Sequence, residues 1–338
     1  MAVKAVRTDR ELECPRIDAG LKARGVRLVT LPDGIGEDEL AREARDADLI
    51  LMCYTPITAR VIEGAARLKG IVKYGVGIDA IDIAAAMRRR IPVVNVPEYA
   101  EDTVAEGAFA LMIALAKKLQ PIGRAMATKG WLWPTAAWMG ADLAGKTLGI
   151  VGVGRIGSAL ARMAGAGFRM RVLGYDPHVP AAAMAAAGVE KRDNLKAMLA
   201  ACDFVSIHAV LTPETRRLIG AAEFSAMKPT AFLINTARGA LVDEAALLAA
   251  LGEKRIAGAG LDVFADEPLS KAHALAALYA MENVMLAPHL TFFTAEAMAR
   301  LEDEALARCA EILEGRPVTV KSRDPRLRAQ SHGVAFAG

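Results

Sequence analysis

Short apolar runs alternate with helical patterns along most of this chain, and their order predicts its architecture. In the first hundred residues "AVKAVRTD", "VRLVTL", "ADLILM", "GIVKYG" and "PVVNVP" read as strands. Stretches of helical period such as "DELAREARDA" and "DIAAAMRRR" lie between them. Alternation of this kind predicts a parallel sheet with helices on both faces. A second series begins at Lys146 with "KTLGIVGVG", "MRVLGYD", "DFVSIHA", "AFLINTA", "GAGLDVF" and "NVMLAP" as strands. Between the two series, "AEDTVAEGAFALMIALAKKLQPIGRAMATKG" reads as one long amphipathic helix. It opens on acidic residues and Thr103 and is long enough to bridge two domains. After the second series, "TAEAMARLEDEALARCAEILEG" is a helix closed by Gly315 and Pro317. If that helix packs back on the first series, the second is nested inside it. The tail "KSRDPRLRAQSHGVAFAG" shows no clear element and is expected to be mobile.

Composition narrows the class without changing the architecture. The 338 residues are 54% hydrophobic and 24% charged, which suits two compact cores and argues against disorder. A net charge of +3 is small for this length. The densest basic run, Arg88-Arg89-Arg90, has no interleaved aromatics and reads as a solvated helix face, so no nucleic-acid partner is expected. The opening "MAVKAVRTDR" is no secretory signal, and no uncharged apolar run reaches membrane-spanning length. A cytoplasmic chain with no membrane partner is expected. Cys14, Cys53, Cys202 and Cys309 are far apart and have no metal-ligand spacing, which predicts reduced thiols and no metal site.

The first chemical signal is "TLGIVGVGRIGSALARMAGA", where Gly152, Gly154 and Gly157 follow a strand and open a helix. A dinucleotide site needs glycine for a tight turn, for close approach of the pyrophosphate, and for helix–strand contact. Asp176 ends the next strand nineteen residues after Gly157. Its carboxylate suits the adenosine ribose hydroxyls and would repel a 2′-phosphate, which predicts NAD over NADP. An acid that merely caps the turn before Pro177 is the plainer alternative.

Three later strands, in "LINTARGALVDEAAL", "GLDVFADEP" and "NVMLAPHLTFFT", bring Arg238, Glu267 and His289 to their C-terminal edges. Singly, these read equally well as a surface charge, a loop acid and a loop histidine. Together they fill separate roles in hydride transfer to a 2-oxo acid. His289 would exchange the proton, Glu267 would hold the imidazole, and Arg238 would grip the carboxylate and polarise the carbonyl.

The order and spacing of "VGVGRIG", "INTARG", "DVFADEP" and "APH" resemble the NAD-dependent D-2-hydroxyacid dehydrogenase family across nearly the whole chain. The resemblance implies an α/β fold in which a Rossmann NAD-binding domain (102–291) is inserted into a flavodoxin-like substrate domain (1–101 and 292–338). It also implies catalysis in an interdomain cleft and a homodimer built through the nucleotide domains. Arg238, Glu267 and His289 match the family's substrate arginine and its Glu–His dyad. Arg155 and Ile156 match the pyrophosphate turn, while Thr236, Ala237 and Asp262 match residues around the nicotinamide. Ala209 falls on the cofactor-side loop. "KYGVGIDAID" resembles the substrate loop, in which Gly75, Val76 and Gly77 would present backbone amides to the substrate carboxylate.

Several departures bear on the substrate. Met52-Cys53 stands where phosphoglycerate dehydrogenases carry an Arg-Ser pair, which disfavours a phosphorylated substrate. Ala80 replaces a common Asn, and "PEYAEDTVAE" lacks the usual Asn before its helix. Glu267 argues against formate dehydrogenase, whose counterpart is Gln. Phosphite dehydrogenase would want a lysine within the Gly75–Gly77 loop, and that loop has none. Phe292 and Phe293 resemble the aromatic segment of D-lactate dehydrogenases and C-terminal-binding-protein corepressors; they fit an apolar substrate wall and core packing equally. Trp138 matches the tryptophan that glyoxylate/hydroxypyruvate reductases send into the neighbouring subunit, with Trp131 and Trp133 as interface anchors. The expected activity is NADH-linked reduction of a small 2-oxo acid such as glyoxylate, hydroxypyruvate or pyruvate. The alternatives are an NAD(H)-sensing, corepressor-like interaction protein on the same fold, and a phosphoglycerate dehydrogenase.

Overall fold

The computed structural model describes residues 2–337. It holds two compact units, residues 1–100 with 294–338, and residues 101–293. In the first, strands β1 (Lys4–Arg7), β2 (Arg27–Thr30), β3 (Leu49–Met52), β4 (Gly70–Lys73) and β5 (Val93–Asn95) form one sheet in the order β2-β1-β3-β4-β5. All its pairings are parallel, and this is the flavodoxin-like order. Every residue of β1, β3, β4 and β5 is buried, as a sheet covered on both faces requires. The connecting helices are α1 (Pro15–Ala23), α2 (Glu37–Ala44), α3 (Ala59–Gly64) and α4 (Ile83–Arg88). Thr58 and Asp82 cap the last two, each accepting a backbone N–H three residues on.

The second unit opens with α5 (Glu101–Ala116) and α6 (Leu119–Lys129). There follow β6 (Thr147–Val151), α7 (Arg155–Arg162), β7 (Arg171–Tyr175), α8 (Ala181–Ala186), β8 (Glu190–Lys191) and α9 (Leu195–Ala201). The remainder is β9 (Phe204–Ile207), α10 (Ala221–Ala226), β10 (Phe232–Asn235), α11 (Glu244–Gly252), β11 (Gly258–Leu261) and β12 (Val284–Leu286). Its seven strands lie in the order β12-β11-β10-β9-β6-β7-β8, all parallel. That is the doubly wound dinucleotide-binding arrangement with one strand added beyond the sixth. Separate apolar cores fill its two faces, one built around Leu199, Phe224 and Leu233, the other around Met112, Leu160 and Phe204.

The expected single helix over 100–130 is two. Lys118 is left-handed (φ 52°), and the Ala116 carbonyl accepts from Ala141 N–H (2.8 Å) instead of from the next helical turn. Pro121 supplies the reason. It has no N–H for the Lys117 carbonyl and its ring would strike that carbonyl in a continuous helix, whereas the first turn of a new helix tolerates it. The first of the two, α5, keeps a solvent face at Asp102, Glu106 and Ala110. Val104, Ala108, Phe109, Met112 and Leu115 are all buried, and the helix is a core element of the second unit.

The chain returns to the first unit through α12 (Ala295–Leu313), capped by Thr294, which accepts from Ala297 N–H (3.2 Å). This helix presses on α1 where Gly20 meets Leu306, and on β4 where Gly70 meets Ile312. The buried carboxylate of Glu302 accepts the first amides of α1, from Arg16 (2.7 Å) and Ile17 (3.1 Å). The four cysteines are buried and unpaired, and burial pushes the Cys14 and Cys202 thiols up to about 12.

The tail is ordered, contrary to the sequence expectation. Strand β13 (Val318–Val320) pairs in parallel with β14 (Val334–Phe336), with α13 (Pro325–Arg328) between them. The buried Gln330 side chain imitates a neighbouring strand for the edge residue Val93, accepting its N–H (2.8 Å) and donating to its carbonyl (2.9 Å). Replacing Gln330 by Leu strands both backbone groups away from water. An equilibrium denaturation curve should show a loss of about 2–3 kcal/mol; an unchanged midpoint would disprove this role of the tail.

Candidate active site

Each group that the sequence singles out in the second unit sits at the carboxyl edge of a parallel strand. The phosphate turn follows β6. Gly152 has φ +92°, and a Cβ there would lie 2.5 Å from Ala209 N, so the loop after β9 touches the turn only because residue 152 has no side chain. A Cβ on Gly157 would strike the Gly152 carbonyl, so α7 also needs glycine to pack on its own turn. Gly154 faces open space, where a diphosphate could reach the backbone. Arg155 and Ile156 begin α7, and Arg155 pairs with Glu101 at 3.1 Å. Asp176 follows β7 and ties the end of this strand to the turn. One carboxylate oxygen accepts from Val153 N–H (3.0 Å), the other from His178 N–H (2.9 Å).

The turn after β10 presents Thr236, Ala237 and Arg238. Asn235, which sequence reasoning passed over, shapes it: its Oδ1 accepts from Ala237 N–H (3.1 Å) and its Nδ2 donates to the Arg238 carbonyl (2.9 Å). An Asn directly at a strand end is the local signal that could have found it. Thr236 is buried, and its Oγ1 has no partner among the described residues. A buried orphan hydroxyl asks for a ligand. Together with the open space at Gly154 and the acid ending β7, it fits a dinucleotide along this edge.

Glu267 and His289 come together from the loops after β11 and β12. His289 Nδ1 lies 2.8 Å from Glu267 Oε2, while Glu267 Oε1 accepts from Phe264 N–H (2.8 Å). Burial pushes the Glu267 carboxyl upward. The hydrogen bond and charge of His289, the Phe264 amide and the Arg238 guanidinium outweigh it and hold the group below the usual range. An ionised Glu267 can only accept, so Nδ1 carries the hydrogen and Nε2 is left to exchange a proton. Arg238 therefore belongs to the cluster through its charge on Glu267. Its loop is held against the 264–265 backbone by Gly239, where a Cβ would overlap the Phe264 carbonyl carbon.

Asp262 is wholly buried, with both oxygens engaged in the turn that carries His289. It accepts from Leu290 N–H (2.8 Å), Thr291 N–H (3.1 Å) and Thr291 Oγ1 (2.5 Å). His289 itself is left-handed (φ 58°), its N–H donating to the Asp262 carbonyl at 2.7 Å. Phe292 is buried edge-on to the imidazole, with centroids 6.3 Å apart, whereas Phe293 is exposed.

In the first unit, Gly75 (φ +149°), Val76 and Gly77 follow β4. The Val76 and Gly77 amides donate to nothing among the described residues. Asn95, also passed over by the sequence reading, holds the loop by donating to the Val76 carbonyl (2.6 Å). Among the described residues no group of three His, Cys, Asp or Glu could hold a metal ion, and no helix is long and apolar enough to cross a membrane.

A flavodoxin-like sheet, a dinucleotide-binding sheet and a Glu–His pair beside an arginine define an α/β dehydrogenase architecture. The family model for the D-isomer specific 2-hydroxyacid dehydrogenase NAD-binding domain matches residues 109–291. Glyoxylate reductase of Korarchaeum cryptofilum is 42% identical over 267 residues, 78% of this chain and 79% of that protein. D-3-phosphoglycerate dehydrogenase of Methanocaldococcus jannaschii is 38% identical over 288 residues, 85% of this chain but 54% of that protein. This chain thus spans about half the length of that relative. The structure of D-lactate dehydrogenase from Aquifex aeolicus, complexed with NAD and lactic acid, superposes with a TM-score of 0.81. It shares 30% identity and covers 92% of this chain and 96% of that one. The chain belongs to the D-isomer specific 2-hydroxyacid dehydrogenase family, and its second unit carries that family's NAD-binding domain.

Adding a methyl group at Gly239 would force the Arg238 turn off the Phe264–Ala265 backbone. Gly239→Ala should cost about 3 kcal/mol or more in stability. Turnover by the protein that still folds should fall roughly 100-fold, because the guanidinium leaves its place. A variant with wild-type melting temperature and rate would refute this packing argument.

Proposed function

We propose that this protein reduces a small 2-oxo acid of the glyoxylate, hydroxypyruvate or pyruvate type to the 2-hydroxy acid, with NADH as reductant. The 2.8 Å Glu267–His289 pair, with Arg238 acting on the same carboxylate, is the observation that supports this reading most directly. The edge from Gly154 to Thr236 would hold NADH, which would supply the hydride. His289 Nε2 gives a proton to the carbonyl oxygen as that oxygen gains charge. Glu267 keeps the ring oriented and offsets the charge that the ring carries before it gives up the proton. Arg238 takes the carboxylate with a planar fork and draws electron density from the neighbouring carbonyl. The Val76 and Gly77 amides, without acceptors among the described residues, suit an anion such as a carboxylate. Asp176 favours NAD over NADP, since a second anion there would meet a carboxylate.

Curated relatives bear the names glyoxylate reductase and D-3-phosphoglycerate dehydrogenase. Met52, wholly buried, and Cys53, nearly so, offer no guanidinium to a phosphate, which favours the unphosphorylated acids. Trp131, Trp133 and Met139 are largely exposed on the segment after α6. Apolar surface of that size supports a homodimer formed through the second unit.

The test is NADH consumption with glyoxylate, hydroxypyruvate, pyruvate and 3-phosphohydroxypyruvate, repeated with NADPH. Small 2-oxo acids should be turned over with NADH preferred. His289→Gln should lose at least about 1,000-fold in kcat and retain NADH binding. Asp176→Ala should shrink the NADH preference. Absence of turnover with any of the four acids would sink the proposal, and a His289→Gln enzyme of full activity would sink the acid–base assignment.

A further inference from the structure

Lys73 ends β4 immediately before the Gly75–Gly77 loop and is only 6% exposed. Its ammonium donates to the Cys53 carbonyl, lies 3.5 Å from Cys53 Sγ and stands 5.5 Å from the Tyr54 ring centroid. It pairs with no carboxylate among the described residues. Asp9, a buried acid that bonds to the other side of Cys53, spends its oxygens on the amides of Cys53, Tyr54 and Thr55 and on the Thr8 and Thr55 hydroxyls. Burying an ammonium without an anion is costly, and a carbonyl, a thiol and a ring face offset only part of that cost. The position is informative as well. A Cβ on Gly75 would lie 3.1 Å from the lysine nitrogen, so the cation sits directly beneath the loop. That loop leaves the Val76 and Gly77 amides without acceptors. Ammonium and amides share the carboxyl edge of a parallel sheet, where open α/β folds bind ligands.

We propose that Lys73 is a specificity-determining residue, the charged half of an anion subsite whose other half is the Val76 and Gly77 amides. The subsite takes a carboxylate and discriminates against neutral carbonyl compounds. This deepens the functional reading above and rests on it for the identity of the loop. The sequence departures pointed elsewhere, because the loop itself holds no lysine and Met52-Cys53 holds no cation. The charge arrives instead from the strand that feeds the loop.

The experiment compares wild type, Lys73→Met and Lys73→Arg in the presence of NADH, with three probes. Oxalate, which cannot be reduced, is titrated calorimetrically; glyoxylate and its neutral methyl ester are assayed as substrates. Loss of one charge-assisted contact should weaken oxalate binding and raise the glyoxylate KM by about tenfold in Lys73→Met, with kcat within about twofold. The ester KM should not move, and Lys73→Arg should recover much of the oxalate affinity. Without oxalate, Lys73→Met should melt no lower than wild type, because an uncompensated buried charge has been removed. Oxalate affinity unchanged in Lys73→Met, equal losses for ester and acid, or no oxalate binding by wild type would each overturn the proposal. If oxalate binding depends on Lys73 while no 2-oxo acid is reduced, the subsite stands and the dehydrogenase reading fails. If glyoxylate is reduced with no dependence on Lys73, the reverse holds.

Discussion

A carboxylate with no access to water decides where the imidazole of His289 points. Asp262 sits at the end of β11 and receives three donors from residues 290 and 291, so the chain must turn at 289. The turn places His289 in the left-handed region, a conformation that a non-glycine residue adopts at a cost and that surrounding contacts must enforce. Once it is enforced, Nδ1 meets Glu267, Glu267 is anchored by the Phe264 amide, and the Gly239 contact sets Arg238 against the same loop. Each of these groups lies in a loop that leaves the carboxyl end of a parallel strand, and the hydrogen bonds to Asp262 and Phe264 hold those loops in place.

The first unit poses the opposite problem. Asp9, just after β1, and Lys73, at the end of β4, are both buried at the carboxyl edge of one sheet. Asp9 has five protein donors and is fully spent on shaping the 53–55 loop. Lys73 has one carbonyl, a distant sulfur and an aromatic face. Equal burial with unequal compensation separates a residue that holds the fold from one that waits for a ligand.

Much of the architecture could be read from local patterns. Apolar runs and the helical period between them announce parallel strands, and a glycine series between a strand and a helix announces the phosphate turn. The 100–130 helix misled because its apolar residues continue across the break. Pro121 was the visible warning, since a proline four residues after Lys117 is incompatible with an unbroken helix. The tail carried no warning of its order, because its anchors lie far away in the chain: Gln330 bonds to Val93, and Arg326 pairs with Asp79. Asn235 left a local trace at a strand end; Asn95 and Lys73 did not, since each acts on a loop through a side chain whose direction the strand period does not reveal.

By itself, the sequence determined which residue types stand at the carboxyl end of each strand, because strand length, turn glycines and flanking polarity are set by near neighbours. It thereby named Arg238, Glu267, His289 and the dinucleotide turn. Tertiary structure alone decided which charges are compensated: that Asp262 is spent on a turn, that Glu267 stays ionised between an imidazole and a guanidinium, and that Lys73 lies beneath a glycine loop with no anion bonded to it among the described residues. Compensation depends on distance and on exclusion of water, and both arise only when segments remote in the chain close over one another.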